Sequence, residues 1–424
     1  MRLLIFGDSA GTGFGTVTAH LGRQFLRLGV DVRFVSMNEA SDGELDLPFA
    51  GRTAVIGQEN GWLGGTDPKL VYERLKGTFR GTLFPDGWAP ERALVIGDVG
   101  SLKLSPIFDF TPLNFPIWHY VPIEGVGLPP RWRNLWTDGN LRPIACSEFG
   151  ASQIESLALP RPPMVYHGVD TEAFWEVSAS RPITLRTKGP QGQPGLTILK
   201  TKNDCKRFFG IDPDMTVLFR ADRNMPRKNY PSLFRAVAPV LHRNPKVMLV
   251  YHCRTLDQGG DLEDERSKYI PAVRDRMVST GLHDNYNGVK VELLNALYNM
   301  ADIYVSVSAE GFGLTIAEAL QCGVPAVAMS YSSVPEVVGE AGVCVPLAEL
   351  TDNIYSHFWA RVNETEFANA VQKLVDSKGL RRALGGAGPI HVGTHFNWAK
   401  STQQMYDLFA AADDFVWPEE GVAA

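Results

Sequence analysis

The sequence predicts two successive α/β domains, each built on a parallel sheet, and three observations support this. The chain has 424 residues, more than one ordinary hydrophobic core fills, which suggests two domains of about 200 residues each. The hydrophobic share is 44%, the charged share 21%, and there are 41 Gly and 28 Pro, so both domains can bury cores and many tight loops are available. Finally, apolar strands alternate with amphipathic helices twice, on either side of a stretch of different character.

In the first half, Leu3–Phe6 reads as a buried strand. His20–Leu28 carries Leu21, Phe25 and Leu28 at helical spacing and is followed by Gly29, and Val32–Val35 reads as a second strand. This is a β-loop-α-β unit, the start of a parallel sheet. Further strands are predicted at Ala54–Ile56, Ala93–Ile96, Ile117–Val121, Ile144–Cys146 and Met164–Tyr166. From about Glu176 to Lys202 the chain is rich in Pro, Gly, Ser and Thr and reads as a linker or exposed insertion. It is locally basic (Arg181, Arg186, Lys188, Lys200, Lys202), which suits a solvated loop or contact with an anionic acceptor. Beyond it, strands are predicted at Val217–Arg220, Val247–His252, Ile303–Val307 and Ala326–Met329. Helices are predicted at Tyr230–Leu241, Val291–Met300, Thr315–Gln321, Glu364–Asp376 and Lys400–Ala411. Acidic Asp261–Glu265 reads as a solvated loop.

Charge and cysteine usage narrow the functional classes. A formal net charge of −6 argues against a surface given over to nucleic acid, while leaving room for a local basic groove. The five cysteines form no C-x-x-C pair and are odd in number, so buried free thiols fit better than a disulfide framework or zinc knuckle. The apolar run at the N-terminus is too short for a signal peptide or a membrane span. The expectation is a soluble cytoplasmic protein.

The segment from Ile303 to Pro346 carries the strongest chemical signal. A strand ends near Ser308, followed by Glu310, the loop Gly311-Phe312-Gly313, and a helix starting at Leu314–Thr315 that contains Glu318. Glycines let backbone amides approach a ligand closely, and a helix N-terminus suits a phosphate. Carboxylates accept paired hydrogen bonds from vicinal hydroxyls, as a ribose or hexose offers. Two isolated glutamates also serve as a helix cap and a wet face. Arg223 and Lys228, in Phe219-Arg-Ala-Asp-Arg-Asn-Met-Pro-Arg-Lys228, follow a strand end and, taken alone, read as surface charges as readily as anion ligands.

Together these segments resemble the family-4 retaining glycosyltransferases of GT-B fold. Glu310 and Glu318 match the E-x7-E motif, with Tyr298, Ala301 and Asp302 before it and Gly323, Pro325, Pro335 and Glu336 after it. Arg223 and Lys228 match the strand-end G-R-x-x-x-x-K element, although Ala221-Asp222 replaces its glycine region. Val165 to Asp170 resembles the P-N-G-V-D turn between domains, with His167 at the Asn position, and Phe396-Asn-Trp398 resembles the C-terminal F-x-W segment. The Gly-rich stretch Gly7 to Thr16 resembles the loop after the first strand.

The resemblance implies two Rossmann-like domains facing an interdomain cleft. Residues 1–175 would form the acceptor side, 176–397 the nucleotide-sugar domain, and a helix at about 398–424 would pack back on the first. It implies transfer of a sugar from a UDP- or GDP-sugar, without metal or other cofactor. Arg223 and Lys228 would hold the diphosphate, with Gly311, Phe312, Gly313, Leu314 and Thr315 around it. Glu318 would hold the ribose, Glu310 the donor sugar, and Gly13 and Gly15 would close over the reacting groups. His119 is implied as a further sugar contact, beside the alternative of a satisfied core histidine. The acceptor stays open: a glycan, lipid, protein or modified nucleobase. A nucleotide-sugar-binding protein or an epimerase of the same architecture is the alternative reading.

Other motifs are weak. Asp212-Pro-Asp214 has D-x-D spacing but precedes a strand and reads as a turn. His391 and His395 read as loop histidines, since no carboxylate accompanies them and Gly393 weakens a helix. Thr16 stands where a dinucleotide fingerprint requires its third Gly.

Overall fold

A computed structural model describes residues 1–8, 12–36, 53–55, 88–99, 115–137, 141–188, 193–282, 289–353 and 357–411. The chain divides into two compact units: Met1–Gly168 with Asn353–His357 and the segment from Trp398, and Val169–Asp352 with Phe358–Asn397.

The first unit holds a six-stranded sheet of β1 (Arg2–Gly7), β2 (Asp31–Ser36), β3 (Thr53–Val55), β4 (Arg92–Ile96), β5 (Ile117–Val121) and β6 (Leu141–Ala145). The order is β3-β2-β1-β4-β5-β6, with every pairing parallel. Leu3, Leu4 and Ile5 of β1 and all of β5 are buried, as continuous apolar strands covered on both faces should be. The helix Gly13–Arg27 begins seven residues before the apolar periodicity of His20–Leu28 suggests, because Thr12 caps it by accepting the Gly15 amide at 3.1 Å. Met164–Tyr166 contributes only an isolated bridge to Ala145, not a strand. The helix Trp398–Ala410 belongs to this unit: Phe409 stacks on Phe25, and Trp398 lies between the rings of His20 and His167. Ile56, Gly11 and the chain beyond 411 lie outside the described residues.

The second unit opens with an antiparallel hairpin, β7 (Ile183–Lys188) and β8 (Pro194–Leu199). This corrects the linker reading: Ile183, Leu185 and Leu199 alternate inward and are buried, while Leu196 and Ile198 face outward. Then come β9 (Thr216–Ala221), β10 (Val247–His252), the short hairpin β11 (Leu256–Asp257) and β12 (Gly260–Asp261), β13 (Met277–Ser279), β14 (Ile303–Ser306), β15 (Ala326–Met329) and β16 (Gly342–Val345). The sheet order is β13-β10-β9-β14-β15-β16, again all parallel. Two strands, β17 (Leu347–Asp352) and β18 (Phe358–Val362), pair outside it.

Two further readings are corrected. Asp261–Glu265 is not a loop, because Asp261 caps the helix Leu262–Ser267 and the acidic side chains complement its first turn. His391 and His395 lie one turn apart in the helix Lys378–His395, which tolerates Gly393 because Val392 and Gly388 pack in its buried face. None of the five cysteines forms a disulfide. Among the described residues no helix is long and apolar enough to cross a membrane.

In each sheet the chain reverses direction of winding beside the first strand of that sheet. Ligands of such sheets bind beyond the carboxyl ends of the strands at that point. In the second unit it lies between β9 and β14.

Candidate active site

The segment after β9 and the segment after β14 converge at this point. Behind β9 the chain runs through Asp222 and Arg223 to a turn at Pro226–Lys228, and Asn229 (φ 46°) then caps the helix Tyr230–Arg243. Asparagine tolerates this left-handed conformation better than most residues. Behind β14, Ser308 and Glu310 lead to Gly313 (φ 108°), the N-cap of the helix Leu314–Gln321. A Cβ at Gly313 would lie 3.6 Å from Glu310 Cγ, and φ itself excludes most side chains there. No side chain caps this helix. Its first-turn amides are therefore available to an anion.

Lys228 and Glu310 are joined directly. Lys228 Nζ lies 2.5 Å from Glu310 Oε1 and 2.7 Å from Asp222 Oδ1, and all three side chains are buried. Glu310 Oε1 also accepts from Ser308 Oγ at 2.6 Å, and Oε2 accepts from Arg227 Nη1 at 3.0 Å. Burial opposes the charge of Glu310, but Lys228 and Arg227 outweigh it and hold the carboxyl well below its ordinary range. A carboxylate has about four acceptor positions. Three are taken here, so one remains on Oε2. The loop itself is pinned by Ser333 Oγ, which donates to the carbonyls of Glu310 and Phe312, and by Ser332 Oγ, which accepts the Glu310 amide.

Glu318 accepts a hydrogen bond from the Tyr298 hydroxyl at 2.7 Å. Burial pushes its pKa up to about 7, the Tyr298 bond opposes that, and the negative charge of Asp222 adds to it. Asp222 thus acts on Glu318 while touching Lys228, which links both glutamates to one charged cluster. The Tyr304 hydroxyl donates to the Ala221 carbonyl at 3.1 Å, which ties β14 to the end of β9.

Several expected residues are placed differently. Arg223 pairs with Asp257 on the β11–β12 hairpin through contacts of 2.8 and 3.2 Å, whereas Arg227 reaches Glu310. Phe312 is a core residue, edge-on to Phe396 at 5.1 Å, and Gly311 is buried beside it. Leu314 is half-buried. In the first unit, Gly13 and Gly15 form the first turn of a helix instead of a loop, and the Gly15 amide is committed to Thr12. His119 is 0% exposed. One ring nitrogen lies 3.0 Å from the Gly97 carbonyl and the other accepts from the Trp136 indole at 3.1 Å. Burial pushes its pKa down to about 4, so it is a neutral, satisfied core histidine with no ring nitrogen left for a sugar. Arg227 escaped the sequence reading, and Asp222 and Tyr298 entered it only as motif positions without a site role. Position beside Lys228 was the signal available for Arg227. Tyr298 stood out only as the start of the stretch that leads into the E-x7-E motif, twenty residues before its partner.

Two parallel sheets of this order are those of the GT-B fold, which the solved structures named below share. Residues 215–377, which contain the whole cluster, match the family described as Glycosyl transferases group 1. Among curated proteins the chain is similar to D-inositol 3-phosphate glycosyltransferase of Actinosynnema mirum, 26% identical over 224 residues, 52% of this chain and 49% of that protein. The chain thus spans about half the length of the curated relatives it matches. Among solved structures it is similar to sucrose-phosphate synthase from Thermosynechococcus elongatus (TM-score 0.69, 16% identity, covering 98% of this chain and 99% of that one). HepE of Anabaena, in complex with UDP-glucose, is similar with a TM-score of 0.67 at 15% identity, covering 97% of this chain and 100% of that one.

Proposed function

We propose that this chain transfers a sugar, with retention of anomeric configuration, from a UDP- or GDP-sugar to an acceptor hydroxyl. One observation carries the reading: at the β9–β14 junction Lys228, gripped by Asp222 and Glu310, sits beside a helix start that no side chain caps. A departing nucleoside diphosphate gains negative charge as its bond to the sugar breaks. Lys228 and Arg227 would offset it together with the amides of Leu314 and Thr315. Arg223 would join them by exchanging Asp257 for phosphate. This assembly of fixed positive charge supports a reaction that runs without a metal.

Glu318 would accept from the ribose hydroxyls, with Tyr298 fixing its orientation. The remaining acceptor position of Glu310 would take a hydroxyl of the donor sugar, and its negative charge would favour positive charge at the anomeric carbon. The acceptor hydroxyl would attack from the face the leaving group departs, passing its proton to the leaving phosphate oxygen. No separate general base is then required. The UDP-glucose held by HepE supports a UDP-sugar donor. That none of the five cysteines forms a disulfide supports a reducing, cytoplasmic setting.

The test is turnover of UDP- and GDP-sugars over an acceptor panel, with EDTA present, in wild type and in Lys228→Ala, Glu318→Ala and Arg223→Ala. The reading requires wild-type activity that survives EDTA and variants that lose it. Activity abolished by EDTA, or undiminished in Lys228→Ala and Glu318→Ala, overturns it.

A further inference from the structure

Behind Lys228 stand two more charges. Arg220, the penultimate residue of β9, is 0% exposed, and its Nη2 lies 3.1 Å from Asp222 Oδ2. The contact is an ion pair without hydrogen-bond alignment: none of the three guanidinium nitrogens, nor Asp222 Oδ2, has a hydrogen-bond partner. The guanidinium lies over the ring of Tyr230, 4.8 Å from its centroid. Burial works against its charge, yet Asp222 and its other neighbours hold its pKa above the ordinary value.

Such an arrangement is a poor way to hold a strand in place. Buried ion pairs replaced together by apolar residues are often neutral or stabilising, whereas removing one partner is costly. A fully buried guanidinium with unspent donors therefore points to electrostatics rather than packing. The charges alternate in space: Arg220, Asp222, Lys228, Glu310, Arg227. Three are positive and two negative, so the cluster carries a net charge of +1. Without Arg220 the sum is zero. Without both Arg220 and Asp222 it is +1 again.

Resting on the transferase reading above, we propose that Arg220 and Asp222 are a positioning couple for Lys228. Asp222 holds the ammonium on the side away from Glu310, and Arg220 cancels the charge that Asp222 brings, so the site stays positive towards a diphosphate. The couple adds an anchor for Lys228 at no cost in net charge.

A double-mutant cycle read by calorimetry with UDP, GDP and their monophosphates tests this. Arg220→Met should weaken diphosphate binding by about tenfold while changing monophosphate binding by less than about threefold, since the second phosphate is the one the cluster faces. Asp222→Asn with Arg220→Met should restore diphosphate binding to within about threefold of wild type and lose kcat more than KM, because Lys228 then lacks an anchor. Should Arg220→Met fail to fold, the double variant and Asp222→Asn still decide the matter. A double variant that folds but binds the diphosphate at least tenfold more weakly than wild type overturns the couple (about 1.4 kcal/mol), as does equal weakening of mono- and diphosphate. If the wild type binds neither diphosphate, the transferase reading itself falls and takes the couple with it, a result distinct from either.

Discussion

The two sheets share one strand order, and each unit starts a glycine-led helix beside its switch point, after β1 in the first and after β14 in the second, yet the two helix starts are put to different uses. In the first unit Thr12 accepts the Gly15 amide, and the nearby strand carries a neutral His119 with both nitrogens committed. In the second unit Gly313 leaves the helix Leu314–Gln321 uncapped, and Lys228 and Glu310 belong to a cluster of five charged side chains. The topology supplies a place for a ligand at both points. The chemistry comes from which donors and charges are left unspent there.

Removing Lys228 tests that contrast most severely. Lys228→Ala deprives the diphosphate of a cation and leaves Asp222 and Glu310 facing each other, so turnover should fall by about a hundredfold or more, with a lowered melting temperature. Arg227→Ala should cost about tenfold or more, since it exposes one Glu310 oxygen. Arg223→Ala should cost less than Arg227→Ala because its guanidinium is bound to Asp257 at the surface. Steady-state kinetics on the three variants checks the order, and a reversed order of Arg223 and Arg227 would show that donor binding draws Arg223 away from Asp257.

These residues also show how much the sequence discloses. The parallel sheets were legible because β1, β5, β9 and β14 are short apolar runs separated by helical periodicity. Lys228, Glu310 and Glu318 were legible because their spacing along the chain sits in a specific motif. Arg227 and Arg223 were not distinguishable, because whether a side chain turns to Glu310 or to Asp257 is decided by the fold of the turn and not by spacing. The hairpin Ile183–Leu199 was hidden because Thr187, Gly195 and Thr197 share the inward face with Ile183, Leu185 and Leu199 and weaken its apolar alternation, while Leu196 and Ile198 face outward. His119 followed the resemblance and not its own surroundings. The partners that commit it, Gly97 and Trp136, lie 22 and 17 residues away.

Glu318 sharpens the comparison through pH. Its ordinary value is 4.5 and burial raises it to about 7 in the fold. A group raised on folding contributes stability that is complete below the unfolded value and is lost as pH rises through the folded one. Unfolding measured from about pH 4 to 8 should show wild type losing on the order of 3 kcal/mol relative to Glu318→Gln across that range. Affinity for a nucleotide sugar, whose diphosphate stays ionised throughout, should rise with pH as Glu318 ionises, and Glu318→Gln should flatten the rise. An unchanged profile in that variant would mean another group titrates. Tyr298→Phe removes the one bond that favours ionisation, so it should move the inflection upward and raise KM more than it lowers kcat.

The smallest effect belongs to the capped helix of the first unit. Thr12→Ala removes the acceptor of the Gly15 amide, and N-cap losses of this kind cost about 1 kcal/mol of stability. If that helix start serves the fold alone, the melting temperature should fall by a few degrees while affinity for UDP or GDP stays within about twofold. An increase in affinity would reverse the interpretation. It would mean that Thr12 competes with phosphate for the freed amide, and that both helix starts, not one, are anion sites.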